Sequence, residues 1–258
     1  MKRYARPLAL VLALALCGVL LAGCSGAKTQ TTGSTSTKST ANDTFTFAQG
    51  ADPRGLDPAR VDDLESGKVI VNIYEGLTKY APDSTKVEPS LAESWTVSPD
   101  GLSYTFKLRQ GVKFHDGTDF NADAVKFNID RQLPPKADDN MPYASFTFGT
   151  VKDVQVVDPY TVKINLSQPN TAFLANLAMG MAAPMVSPKA LTDNNNSVMD
   201  NPVGTGPYKF VKWTKGENVQ LVRNDDYWGE RPRPRTSSSA SSPTTRPASS
   251  PSTTVKWT

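Results

Sequence analysis

The chain has 258 residues, 38% of them hydrophobic and 21% charged, with a formal net charge of +3, enough for one large domain or two small ones. The positive charge sits at the ends. Without the three basic residues of the first 23 positions and the five of the last 28, 20 basic residues face 25 acidic ones, a net charge of −5, which argues against a basic nucleic-acid-binding surface.

Lys2, Arg3 and Arg6 precede an apolar run from Leu8 to Leu20. That is the order of a secretory signal, and the run is too short to span a bilayer comfortably as a helix. Leu21-Ala22-Gly23-Cys24 follows and resembles a bacterial lipobox. The motif implies cleavage after Gly23 and lipidation of the Cys24 thiol; a plain signal peptide or an uncleaved anchor is the alternative. Cys17 lies in the discarded segment. The mature chain is therefore expected to have no intramolecular disulfide and to rely on core packing. Residues 24–43 are rich in Ser, Thr, Gly and Lys and read as a flexible tether, with too little apolar surface to offset ordering.

Phe45-Thr46-Phe47-Ala48 alternates as a first strand, and two prolines and a glycine make residues 51–58 a loop. A helix is predicted over Leu64–Tyr74, with Leu64, Val71 and Tyr74 at helical spacing. Strands follow over Ser90–Val97 and Ser103–Arg109, the second placing Tyr104, Phe106 and Leu108 on one face. Asn121 can cap a helix running to about Arg131, with Ala124, Phe127 and Ile129 inward. Val151–Val157 and Tyr160–Leu166 read as a hairpin around Asp158-Pro159, and Phe173–Met179 as a short helix. Ala182–Val186 is a candidate strand, and Ser187-Pro188 can open a helical turn. Tyr208–Trp213 and Asn218–Arg223 read as paired strands after a tight Val203–Pro207 loop. Hairpins mixed with helices predict an α/β or α+β architecture with more than one subdomain.

The composition changes at Arg231, after which Ser, Thr, Ala, Pro and Arg dominate. Residues 231–258 read as a low-complexity, disordered tail that cannot form a core. A frame error accounts for the same composition. Read one base earlier, serine codons of the larger box specify Val, Ile, Leu or Phe, and threonine codons Asn, Asp, His or Tyr, which restores a strand-like pattern.

Several ordered stretches share one resemblance. They are Ile73-Tyr74-Glu75-Gly76-Leu77-Thr78, Glu88-Pro89-Ser90-Leu91-Ala92-Glu93-Ser94-Trp95, Ser98-Pro99-Asp100-Gly101-Leu102, Gly111-Val112-Lys113-Phe114-His115-Asp116-Gly117-Thr118, Asn201-Pro202-Val203-Gly204-Thr205-Gly206-Pro207-Tyr208 and Asn224-Asp225-Asp226-Tyr227-Trp228. Over residues 45–230 the chain resembles the family 5 extracellular solute-binding proteins of peptide and nickel ABC importers. The resemblance implies a periplasmic-binding-protein-like α/β fold of type II, a two-lobed clamp of the dipeptide- and oligopeptide-binding kind. Residues 44–75 with 186–230 would form one subdomain of the first lobe and residues 76–185 an inserted one. The second lobe would come from later sequence, so a chain of this extent is expected to be a fragment that holds ligand poorly. The resemblance also implies a monomer that is not an enzyme, working with a membrane permease, and no cofactor.

A peptide-type site needs backbone donors, aromatic walls and a few charges. Tyr74, Glu75 and Gly76 at the end of the first helix, a strand-like Met179-Gly180-Met181-Ala182, and Gly204, Thr205 and Gly206 are the candidates. Equally, Tyr74, Met179 and Met181 can be core, and the glycines can merely permit the turn. His115 is the only histidine; without a second nitrogen ligand or a nearby cysteine it makes no metal site, and a structural turn is the expected role. No nucleophile elbow or phosphate loop is present in the sequence, which weakens a secreted hydrolase as an alternative. An envelope lipoprotein with a structural or sensing role stays open.

Overall fold

The computed structural model describes residues 44–234 and 236–241. The signal sequence, lipobox and tether, and everything after Ser241, lie outside the described residues. Two four-stranded sheets dominate. The first has the order β1-β10-β9-β8, with β1 at Thr44–Gln49, β8 at Tyr208–Thr214, β9 at Asn218–Arg223 and β10 at Thr236–Ser241. The second has the order β4-β5-β7-β6, with β4 at Ala92–Val97, β5 at Ser103–Leu108, β6 at Val151–Asp158 and β7 at Thr161–Leu166. Between them in sequence lies a short ribbon of β2 (Thr78–Tyr80) and β3 (Val87–Pro89). The helices are α1 (Leu64–Ile73), α2 (Ala122–Asp130), α3 (Ala144–Phe148), α4 (Phe173–Leu177) and α5 (Pro188–Asp193).

The second sheet forms because its central strands alternate. Tyr104, Phe106 and Leu108 of β5 are buried, as are Val162 and Ile164 of β7, and Tyr104 faces Ile164 while Phe106 faces Val162 in register. Directly opposed aromatic and β-branched pairs are what hold an antiparallel ladder together. α2 covers this face with Ala124, Val125 and Ile129, and the Asn121 side-chain oxygen caps it by accepting from the Ala124 amide at 2.9 Å. The apolar interior has two parts. One is drawn from Leu77 to Met185. The other is drawn from Leu56–Tyr74 and Val186–Leu221, beneath the first sheet.

Three sequence expectations change. α1 forms, but Leu64 is 70% and Val71 51% exposed, and the buried side is Ser66, Gly67, Val69, Ile70 and Ile73. Gly67 turns inward because Met181 lies against it: a Cβ there would come within 2.5 Å of the Met181 sulfur. Ala182–Val186 is not a strand. A buried side chain takes the place of a partner strand, since Asn128 donates to the Val186 carbonyl at 2.8 Å and accepts from its amide at 3.0 Å. Met179–Ala182 is likewise a turn, closed by the Ala182 amide on the Met179 carbonyl at 3.0 Å. The third change concerns the tail read as coreless. Thr236–Ser241 is strand β10, parallel to β1 and antiparallel to β9. Bonding on both edges satisfies its backbone whatever its side chains are.

Candidate functional site

The chain passes from one apolar part to the other at Tyr74-Glu75-Gly76, between α1 and β2. The Gly204-Thr205-Gly206 loop presses against this crossing. The Gly206 amide donates to the Ile73 carbonyl at 2.9 Å. A Cβ at position 204 would lie 2.1 Å from the Ile73 oxygen, and one at position 206 would lie 2.6 Å from the Ile73 carbonyl carbon. Only glycine permits that approach. The crossing is further pinned by the Met185 amide on the Glu75 carbonyl at 2.8 Å and the Leu91 amide on the Gly76 carbonyl at 3.2 Å.

Glu75 is the centre of the arrangement. The Tyr227 hydroxyl donates to its Oε1 at 2.6 Å, and the Thr205 hydroxyl and the Trp228 indole nitrogen donate to its Oε2 at 2.9 and 2.7 Å. Burial pushes the carboxyl up from the ordinary glutamate range, and the hydrogen bonds from Tyr227, Trp228 and Thr205 oppose that shift. An indole N–H is donor-only, so Oε2 must remain an acceptor. Burial, and then the neighbouring Glu75 charge, also raises the Tyr227 hydroxyl. The Arg109 guanidinium lies over the Trp228 ring at 4.6 Å from its centroid, a cation–π contact, and the Tyr227 and Trp228 rings meet at 5.5 Å.

His115 holds the loop from the other side. Its amide donates to the Gly204 carbonyl at 2.8 Å. Its Nδ1 accepts from the Gly204 amide at 3.4 Å, and its Nε2 lies 2.9 Å from the Gly206 carbonyl. This pattern fits a neutral ring protonated on Nε2, and burial lowers its pKa to about 4. The structural role expected of His115 is thus given a geometry. Next to it, burial of Asp116 is outweighed by hydrogen bonds from Ser187 and Thr118, and its carboxyl lies below the usual range.

The sequence candidates separate into two groups. Glu75, Gly76, Gly204, Thr205 and Gly206 come together at the crossing. Tyr74 sits among the buried residues, with its hydroxyl donating to the Leu56 carbonyl at 3.1 Å. Met181 and Gly180 lie on α1, against Gly67 and Val71, and Ala182 is buried; Met179 is half-buried. Tyr227, Trp228, Arg109 and His115 were not singled out as site residues. The signal for the first two was present in an aromatic pair with two polar donors, which a buried acid needs. Among the described residues, no group of three His, Cys, Asp or Glu side chains could hold a metal ion. The three donors are engaged by Glu75, so the arrangement fixes the crossing between the two apolar parts and leaves the aromatic faces of Tyr227 and Trp228 partly exposed beside it.

Among solved structures, the chain is similar to DppA, an ABC transporter-associated periplasmic binding protein from Helicobacter pylori in complex with the peptide STSA. The TM-score is 0.68 and the identity 37%, covering 78% of this chain and 43% of that one. The fold is that of the type II periplasmic binding proteins. The family model described as bacterial extracellular solute-binding proteins, family 5 Middle, matches residues 86–237, and the chain belongs to that family. Proteins of this family are transport binding proteins rather than enzymes. Heme-binding protein A of Haemophilus influenzae is 36% identical over 245 residues, 85% of this chain and 44% of that protein. Glutathione-binding protein GsiB of Pectobacterium atrosepticum is 43% identical over 182 residues, 70% of this chain and 34% of that protein. The chain therefore spans less than half the length of each of these relatives.

Proposed function

We propose that this chain is the first-lobe portion of the solute-capturing component of an ABC importer. In this reading it is exported, anchored through lipidated Cys24 to the outer face of the cytoplasmic membrane, and monomeric. With its second lobe, the whole protein captures a peptide or a chemically related small solute and passes it to the membrane permease. The observation that carries the reading is the family match over residues 86–237, which spans the Gly204–Gly206 loop and the Tyr227-Trp228 pair gathered on Glu75. Two of the similar proteins are named or described with peptidic ligands, glutathione and the peptide STSA, so peptides are the first class to test.

The test is uptake. A strain lacking the gene should take up at least one member of a labelled panel of dipeptides, tripeptides and glutathione about tenfold faster when supplied with a full-length, single-frame gene in trans than without it. Unchanged uptake of the whole panel overturns the peptide reading.

A further inference from the structure

β10 occupies an interior position of its sheet, with ladders on both edges. Such a strand turns one face to the core, and here that face carries Ser237 and Ser239, 5% and 3% exposed. Ser238, between them, points outward, its hydroxyl 3.1 Å from that of Thr46. The residues paired with the inward serines are apolar. Ser237 is in register with Phe45 and Leu221, and Ser239 with Phe47 and Val219. Beneath them Phe47, Val69, Val219, Leu221 and the two serines line a gap with no room for a water molecule. The Ser239 hydroxyl is buried without a hydrogen-bond partner.

Each observation is unfavourable in the same direction. A void beneath a strand forfeits dispersion contacts on its walls. A buried hydroxyl with no partner retains its full desolvation penalty. Strand interiors select branched aliphatic and aromatic residues because those fill a half-buried pleated face. The backbone slot therefore calls for apolar side chains at two places where the chain supplies hydroxymethyl groups.

We infer that β10 and the residues after it are translated out of frame, and that the slot between β1 and β9 fits the same DNA read one base earlier. In that frame every serine codon of the larger box becomes Ile, Leu, Val or Phe, whichever base precedes it. Where positions 237 and 239 use that box, both become apolar, while the Thr236 codon becomes Asn, Asp, His or Tyr. The codon arithmetic applies to Ser238 as well; burial and the unpaired Ser239 hydroxyl are what single out the two inward positions. Neither depends on what the protein binds.

The experiment has two arms. The source gene is sequenced across the codons for residues 229–258, and the full chain carrying Ser237→Val and Ser239→Val is melted beside the original. The expected result is larger-box serine codons at both inward positions, no stop codon in the alternative frame across this stretch, and a melting midpoint raised by about 5 °C. Ser238→Val, on the exposed side, should leave the midpoint unchanged. Ser239→Ala removes the orphaned hydroxyl without adding bulk and should raise the midpoint slightly even if the double variant aggregates. A stop codon in the alternative frame, serine codons of the smaller box at positions 237 and 239, or a midpoint that fails to rise in both Ser239→Ala and the double variant overturns the inference.

Discussion

The indole nitrogen of Trp228 donates to the Glu75 carboxylate at 2.7 Å although the two residues are 153 positions apart. With Tyr227 and Thr205 it makes one buried acid the meeting point of three segments. Glu75→Ala removes the acceptor and leaves three donors without it. At about 1–3 kcal/mol for each stranded polar group, discounted for water reaching the half-exposed aromatic rings, the loss of stability should be about 3–5 kcal/mol. Trp228→Phe should cost less, about 1–3 kcal/mol. Urea unfolding of the two variants checks both the size and the order.

His115 should make the protein acid-sensitive. Its pKa is lowered from 6.5 to about 4 by burial. A depressed pKa means that the folded state prefers the neutral ring. The associated stability is present above pH 6.5 and is lost as the pH falls toward 4, where the imidazolium must form beside the Gly204 amide. The full effect is about 3 kcal/mol. Melting midpoints between pH 7 and pH 4 should fall more steeply in the parent than in His115→Asn. Parallel curves would show that the ring does not titrate in this window.

Gly204→Ala places a methyl group 2.1 Å from the Ile73 oxygen. Neither backbone can withdraw without breaking the Gly206–Ile73 hydrogen bond. A loss of about 2–4 kcal/mol is expected from overpacking together with that hydrogen bond. The same change at Gly216, whose neighbourhood is open but whose φ is +80°, should cost only about 1 kcal/mol through backbone strain. Comparing the two melting midpoints separates close approach from conformation.

Asp57 and Arg131 form a buried ion pair, their side chains 0% and 3% exposed. Asp57 also accepts from the Ala59 amide at 3.1 Å. Arg131→Met leaves a buried carboxylate without its cation and should cost about 3–5 kcal/mol. Asp57→Asn combined with Arg131→Met should cost less than the two single changes added together, because neither residual group is then charged. A double-mutant cycle gives the coupling directly.

The proposed anchor has a simple chemical test. Cells supplied with labelled fatty acid should incorporate label into the protein, and Cys24→Ala should abolish it. Label that survives the substitution would remove the lipobox from the argument.

Much of the local structure was legible because its causes are local. Tyr104, Phe106 and Leu108 alternate, and β5 buries that face. Asn121 precedes a helical pattern and caps it. Ser187 precedes proline, and its hydroxyl accepts from the Ala190 amide at 3.2 Å at the start of α5. Misreadings arose where a distant group intervened. Leu64 and Val71 have helical spacing, yet α1 buries its glycine side because Met181 arrives there from elsewhere in the chain. Ala182–Val186 has strand-like residues, yet Asn128 occupies its hydrogen-bonding groups.

The sequence by itself determined the periodic elements, their caps and turns, and the ordered stretches that mark the family, since all of these are written in neighbouring residues. Tertiary structure alone decided that Glu75 gathers Thr205, Tyr227 and Trp228, that glycine is required where Gly204 meets Ile73, and that two serines are buried against apolar partners in the middle of a sheet. Those facts depend on surfaces brought together from positions more than a hundred residues apart. No local pattern encodes which buried acid will find its donors or which strand will turn hydroxyls into an apolar interior.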